Sequence, residues 1–410
     1  MSQLPLRAQL ATALGKGAAT LSRVTGRGDG SVIGGRIGLV LEPQLLTLLA
    51  KQRRLALVTG TNGKTTTTRL ISAALTELGE VATNAFGANM PAGHVSALAG
   101  APKAEYAVLE VDEKYVPMVL GETGASVVVL LNLSRDQMDR ATEVWLLAQR
   151  WRNALEGSET HVVANADDPV VTWGAATARH VTWVSAGQRW KEDSWCCPEC
   201  GNHLHRDDPH WECKECGFRR PQPTWRLEDG TVVDPWDRRL ELKLQLPGRA
   251  NRANAAITLA TAAAFGLDPI RALPRLHQVT SVAGRYTVVE RHGCQVRLLL
   301  AKNPAGWLES FDVLEPAPGP VALSVNAQGP DGRDTSWLWD VDYRVLQGRP
   351  VFVTGERRLD LAARLEVDEV PFQMVDNVDE AVFRARAGHL DVIANYTAFQ
   401  QIRAAYGRVE

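Results

Sequence analysis

Residues 60–68, GTNGKTTTT, follow the apolar run LALVTG and open a segment with helical apolar spacing at Leu70, Ile71, Ala74, Leu75 and Leu78. They carry the tail of the Walker pattern, Gly-x-x-Gly-Lys-Ser/Thr. Glycines let backbone N–H groups turn toward phosphate oxygens, and a helix N-terminus adds partial positive charge. Gly60, Thr61, Asn62, Gly63, Lys64, Thr65 and Thr66 therefore form a candidate nucleotide cradle. Lys64 would reach the β- and γ-phosphates, and the Thr65 hydroxyl would ligate Mg²⁺. Glu110 ends the apolar run of VLEVDE, where a carboxylate suits a second Mg²⁺ ligand. A plain solvent-facing acid at a strand end would read the same way.

The second chemical feature is a cluster of thiols. Five of the six cysteines lie between Cys196 and Cys216. Cys197-Pro-Glu-Cys200 and Cys213-Lys-Glu-Cys216 form two pairs separated by twelve residues, each followed by glycine. Four thiolates suit tetrahedral Zn²⁺ and leave no open position for chemistry, so the pattern reads as a structural zinc ribbon. Two redox pairs or an iron–sulfur site fit less well, since nothing thioredoxin-like surrounds them. Cys196 is then spare, His203, His205 and His210 are polar loop residues, and Cys294 packs in a core. Trp195, Trp211, Trp225 and Trp236 flank the ribbon and are expected to pack its small core, with a docking surface as the alternative.

The elements that must position these groups alternate β and α. LALVTG (55–60), YAVLEVD (106–112), SVVVLLNL (126–133) and HVVANAD (161–167) are continuous apolar runs, as buried parallel strands should be. Helices are expected over 64–78 and about 141–156, which argues for a parallel sheet covered by helices. Residues 187–237 interrupt the alternation. LELKLQLPG (240–248) is expected to resume β structure, followed by an Ala-rich helix over 251–267 stopped by Gly266. Beyond about 285, strands are expected at 295–301, 321–327, 350–355 and 391–396. Upstream, residues 1–37 read as a helix and a Gly-rich stretch over 26–38, a loop or a close backbone approach. A short helix over roughly 42–52 follows.

The bulk numbers agree with an ordinary globular chain. Its 410 residues suggest two or three domains. A 45% hydrophobic and 22% charged composition excludes disorder. A net charge of −2 removes the broad electrostatic case for nucleic-acid binding. No apolar run is long enough for a transmembrane segment, and no secretory peptide is read, so a cytoplasmic protein is expected.

Several motifs in order resemble the Mur ligase superfamily. GTNGKTTT is that superfamily's form of the phosphate loop, and EVDE matches its metal-binding Glu motif. NLSRDQMDR (132–140) resembles its Asn-Leu-x-x-Asp-His segment, with Gln137 in place of His. NADDP (165–169) matches a turn, and PGRANRANAAITLATA (247–262) resembles the Asn-x-x-Asn helix start. VAGRYTVVE (282–290) resembles the Gly-Arg start of the C-terminal domain, and AKNPAGW (301–307) its His-Asn-Pro segment, with Lys302 in place of His. The resemblance implies an ATP-dependent carbon–nitrogen ligase: ATP phosphorylates a carboxylate and an amine attacks the acyl phosphate. It implies that Lys64, Thr65 and Glu110 handle phosphates and Mg²⁺, and that Asn254 and Arg285 contact the nucleotide. Taken alone, Asn251 and Asn254 could simply cap a helix, and Arg285 could form a surface ion pair. The implied fold is α/β. A Mur ligase-like central P-loop domain (55–280) carries an inserted Cys₄ zinc ribbon (193–222). A helical and Gly-rich segment (1–54) precedes it, and a C-terminal Rossmann-like α/β domain (281–410) follows.

Only about 55 residues precede the phosphate loop, too few for the usual UDP-sugar-binding domain. With the ribbon and the run NAQGPDGRDTSWLWDVDY (326–343), this resembles the MurT family, the ligase-like subunits of lipid II isoglutaminyl synthase. That resemblance implies amidation of the D-glutamate α-carboxylate in the lipid II stem peptide to D-isoglutamine at the inner membrane face. Ammonia would come from a GatD-type class I glutaminase partner, because no Cys-His pair for glutamine hydrolysis is legible in this chain. It also implies a C-terminal aspartate that completes the partner's Cys-His site, orienting the imidazole. Asp334 is the expected one, with Asp331 and Asp340 as competitors that could all merely cap turns. Trp337 and Trp339 alternate on an expected strand, as partner interface or core. The alternatives are a stand-alone folylpolyglutamate synthase-like ligase and a zinc-ribbon module for nucleic acid.

Overall fold

The computed structural model describes residues 4–25, 30, 32–84, 88–135, 144–280, 285–314 and 318–406. Gln137 and the residues just before Arg285 lie outside them. The chain divides into two compact units, one of residues 1–133, 143–245 and 250–280, the other of 134–142, 246–249 and 281–410. The α/β class expected from the sequence is the class observed.

The first unit begins with three helices, α1 (Leu6–Val24), α2 (Ile33–Leu41) and α3 (Leu45–Ala50). Then come β1 (Arg54–Thr59), α4 (Lys64–Leu75), β2 (Val81–Thr83), α5 (Pro91–Gly100), β3 (Tyr106–Glu110), α6 (Val116–Thr123) and β4 (Val127–Leu130). The alternation continues through α7 (Val144–Leu155), β5 (His161–Asn165), α8 (Pro169–Ala175) and β6 (His180–Ser185). The ribbon hairpin is β7 (His205–Asp207) and β8 (His210–Glu212). The sheet closes with β9 (Trp225–Glu228), β10 (Thr231–Val233) and β11 (Arg239–Glu241), before α9 (Arg249–Ala264) and α10 (Pro269–His277). Among the described residues the sheet order is β11-β10-β9-β6-β5-β4-β1-β3-β2. The strands from β2 to β9 run parallel, and the β9–β10–β11 meander is antiparallel. β1 therefore lies between β3 and β4, a topological switch point whose carboxyl end is a natural ligand crevice.

One open alternative is decided here and one expectation is corrected. Of the loop or close backbone approach expected for the Gly-rich stretch, its second half shows the close approach: Gly34, Gly35 and Gly38 lie in α2 and are buried. They are there for close approach, because a Cβ on Gly35 would stand 1.7 Å from the Ala92 carbonyl oxygen of α5. Of LELKLQLPG only the first two residues are in a strand, since β11 ends at Glu241.

The second unit holds β12 (Tyr286–Arg291), β13 (Cys294–Leu300), α11 (Pro304–Phe311), β14 (Val321–Ser324) and β15 (Val351–Thr354). It continues with α12 (Arg358–Val367), β16 (Gln373–Met374), α13 (Val378–Ala385), β17 (His389–Ala394) and α14 (Tyr396–Ala405). Its sheet order is β12-β13-β17-β14-β15-β16, parallel apart from the β12–β13 hairpin. Trp307, Tyr343, Leu323 and Val353 anchor one core face and Phe352, Val392 and Phe399 the other. The expected strand through Trp337 and Trp339 is instead a short 3₁₀ helix, Ser336–Asp340. Asp334 accepts from the Ser336 N–H at 2.8 Å, a local turn that an extended strand would not make. No described helix is long and apolar enough to cross a membrane.

Candidate functional site

The turn between β1 and α4 follows from its sequence. Gly63 caps α4 with φ of 87°, a left-handed conformation that glycine adopts without strain. A Cβ there would also stand 2.8 Å from Asn254 Oδ1. This brings Asn254 of α9, predicted as a nucleotide contact, against the phosphate loop. Asn132 clamps the turn from the other side. Its Oδ1 accepts from Asn62 N–H at 2.9 Å, and its Nδ2 donates to the Asn62 carbonyl at 2.9 Å. Its carbonyl accepts from Thr61 N–H at 3.0 Å.

Lys64 is buried, and its ammonium donates to the Gly60 carbonyl at 2.6 Å and to Glu113 Oε1 at 2.8 Å. Glu113 is a site residue that the sequence reading passed over, although EVDE displayed it. Its own carbonyl accepts from Trp151 Nε1 of α7 at 2.9 Å. Thr65 and Thr66 are buried on the first turn of α4.

Glu110 pairs in register with Val58 on the neighbouring β1, one strand from the loop. Its main chain is fully held: N–H donates to Asn84 Oδ1 at 2.7 Å, while the carbonyl accepts from Asn84 Nδ2 at 2.8 Å and His94 Nε2 at 2.9 Å. Its side chain is fully buried, yet both carboxylate oxygens lack a hydrogen-bond partner among the described residues. A buried carboxylate left so is costly unless a cation meets it. The oxygen donors of Glu110 and Thr65 beside a glycine-walled, Lys-bearing turn fit a nucleotide with Mg²⁺, a hard cation that takes oxygen ligands. Burial pushes His94 down to about 4, so it is neutral at pH 7.

The four predicted thiols converge. Cys197, Cys200, Cys213 and Cys216 Sγ atoms all lie within 4.8 Å of one another, with Cys197–Cys216 at 3.6 Å and Cys200–Cys213 at 3.5 Å. Sulfurs at about 2.3 Å from a tetrahedral metal would stand roughly 3.8 Å apart, so the set fits Zn²⁺. Each knuckle closes on its glycine: Gly201 N–H donates to Cys197 O at 2.8 Å and Gly217 N–H to Cys213 O at 2.9 Å. The Asn202 N–H pulls the Cys200 thiol down to about 7, whereas burial raises Cys197.

Trp211 and Phe218 pack the ribbon core at 5.1 Å, and Trp225 is buried in β9. Trp195 and Trp236 are exposed and Trp225 belongs to the central sheet, so the ribbon-core role expected for all four holds for Trp211. Cys294 is buried, and Cys196, His203, His205 and His210 are exposed. The NADDP turn anchors the insert. Asp167 pairs with Arg220 at 2.6 Å, the Ala166 carbonyl accepts from Trp211 Nε1 at 3.3 Å, and Asp168 caps α8.

In the second unit the three candidate acids separate. Asp331 caps α14, accepting from the Thr397 N–H at 3.0 Å and from its hydroxyl. Asp340 pairs with Arg135 at 3.6 Å. Asp334 is half-buried and accepts only the local Ser336 N–H among the bonds described. Trp337 is buried against Trp307 at 6.2 Å, whereas Trp339 is exposed beside the Arg364 guanidinium. Arg285 immediately precedes β12 and its carbonyl accepts from Leu300 N–H at 3.0 Å. Lys302 directly precedes Asn303, which caps α11.

The model described as Mur ligase middle domain matches residues 58–262, and that described as MurT ligase C-terminal matches 300–399. The MurT subunit of lipid II isoglutaminyl synthase (glutamine-hydrolyzing) from Staphylococcus aureus strain COL is 31% identical, covering 96% of each chain. The protein of the same name from Streptococcus pneumoniae is 28% identical over 92% of each. Among solved structures, a pseudomurein peptide ligase type C from Methanothermus fervidus superposes with a TM-score of 0.68 at 18% identity, covering 86% of this chain and 78% of that one. MurF ligase from Thermotoga maritima, solved with ADP, gives 0.62 at 18% identity, covering 88% and 82%. Phosphate loop, buried Glu110, Mur ligase fold and near full-length relatives lead to one conclusion: the chain belongs to the MurT family, ATP-dependent ligases of the Mur ligase superfamily.

Proposed function

We propose that the chain is the ATP-using subunit of a lipid II isoglutaminyl synthase in peptidoglycan synthesis. It amidates the α-carboxylate of D-glutamate in the lipid II stem peptide at the inner membrane face, with ammonia from a GatD-type class I glutaminase. The observation that carries this reading is the likeness to two MurT subunits along more than nine-tenths of the chain, with family models matching residues 58–262 and 300–399. In this reading the loop N–H groups and Lys64 bind the triphosphate, exchanging the Glu113 contact for phosphate oxygens. Glu110 and Thr65 hold Mg²⁺, which supplies charge neutralisation when bound. The substrate carboxylate takes the γ-phosphoryl group and ADP leaves. Ammonia then attacks the acyl carbon and inorganic phosphate departs, giving the amide. Asn254 and Arg285 contact the nucleotide, and the four thiolates hold a structural Zn²⁺.

The test is ATP-dependent amidation of lipid II with glutamine or ammonium, with and without a co-purified glutaminase. Amide product from ammonium with this chain, and from glutamine only with the partner, is expected. No product from either nitrogen source with the complete complex overturns the reading.

A further inference from the structure

An amphipathic helix on the surface of a globular protein turns its polar face outward. α1 does not. Its inner face is Ala8, Ala11 and Gly15, small residues that let α2 approach. Outward, Leu6, Leu10, Leu14, Leu21 and Val24 recur at three- and four-residue steps or their sums and share one face. They are 57% to 79% exposed. α2 adds Ile33 and Val40, both exposed and seven residues apart. Leaving five large apolar side chains of one helix in water is unfavourable wherever a surface could bury them.

The described charges on these two helices are basic. Between residues 4 and 41 the described basic residues are Arg7, Lys16, Arg23 and Arg36, all exposed, and the described residues include no acid. Arg7 turns to Glu42 at 3.5 Å. Lys16 and Arg23, with Thr12 and Thr20, line a hollow of about 570 Å³ beside the helix. A leucine face with cationic flanks is the arrangement of helices that lie in a lipid interface, where apolar side chains enter the acyl boundary and cations meet anionic headgroups. A second copy of the chain would bring the same positive charges together.

We propose that α1, with the outer edge of α2, docks this protein on an anionic membrane surface. The surface gives the lipid-linked substrate proposed above a reason to be met at the bilayer, but its evidence is independent of that reaction.

The experiment is co-sedimentation of the full chain with vesicles of phosphatidylglycerol and phosphatidylcholine, and with phosphatidylcholine alone, all free of lipid II and nucleotide. Partition onto the anionic vesicles that weakens with salt is expected. The double variant L10E/L14E should lower it roughly tenfold or more, since two leucines no longer enter the interface. K16E/R23E should remove the preference for anionic vesicles. Unchanged nucleotide affinity and melting temperature establish that the variants fold. Should L10E/L14E melt early, L14S/L21S replaces it. No partition of the unsubstituted chain overturns the proposal, as does partition indifferent to both leucine variants. A leucine-dependent dimer, or leucine-dependent capture of the glutaminase, without vesicle binding also overturns it. Because the vesicles hold no lipid II, failure here leaves the amidation reading standing, and failure of amidation leaves this one standing.

Discussion

Glu110 is held through its main chain, by Asn84 and His94, while its buried carboxylate has no hydrogen-bond partner among the described residues. That arrangement stabilises a ligand site at the expense of the unliganded protein. Glu110→Gln removes the buried charge but keeps the shape. Amidation should fall by about 10²–10³, while the melting temperature without nucleotide holds or rises. A fall of several degrees would mean that the carboxylate has a structural role instead. His94, which donates to the same carbonyl, gives a pH prediction. Its folded value is about 4 against an ordinary 6.5. Between those values the unfolded chain binds a proton that the folded one refuses, so this contribution to stability rises with pH and is lost as pH falls from 6.5 toward 4. At most about 3 kcal/mol is involved. Asp168, pushed up to about 6 from 3.8 by burial, titrates in the opposite sense. Denaturation of wild type and His94→Gln across the window isolates the histidine: the difference between them should narrow as the pH is lowered. Lys64 and Glu110 were legible from their motif, whereas the Lys64–Glu113 ion pair was not, because EVDE offers several acids and only the backbone turn after β3 selects one.

At the scale of elements, glycine in α2 reverses an ordinary rule. Gly→Ala inside a helix usually stabilises by about 1 kcal/mol. Gly35→Ala should instead destabilise by roughly 2 kcal/mol or more, because its Cβ would meet the α5 backbone at 1.7 Å. Chemical denaturation reads the sign. Composition alone left a loop and a close backbone approach both open, since a glycine-rich string looks the same whether it turns or packs. The ribbon makes a second case. It is tied to α7 and α8 by Trp145 Nε1 donating to the Pro198 carbonyl at 2.9 Å and Trp173 Nε1 to Glu199 at 2.6 Å. Trp145 and Trp173 stack at 5.6 Å. Metal removal by chelation should therefore open residues 193–222 to proteolysis and lower the melting temperature by several degrees, both restored by added zinc. Metal analysis that finds no zinc in fresh protein would contradict the assignment. The thiol spacing announced this site in full, because a Cys-x-x-Cys knuckle is a local structure.

For the whole molecule, the division of labour between the two units and a partner is the open chemistry. Asp331 is spent on α14 and Asp340 faces Arg135, whereas half-buried Asp334 accepts only its local turn bond among those described. Asp334→Asn should leave amidation with ammonium unchanged and lower glutamine-dependent amidation by about 10²-fold or more, if it orients an imidazole in the partner. Equal loss with both nitrogen sources would deny it that role. The sequence by itself determined the phosphate loop, the four thiols, the α/β class and most central strands, because each rests on local spacing: a turn, a knuckle, an apolar run. It did not determine which glycines pack, which of three crowded aspartates is spent on a cap, or that Trp337 and Trp339 leave a strand for a 3₁₀ turn. Those depend on partners far away in the chain, such as Ala92, Thr397 and Trp307, and only the tertiary structure brings them together.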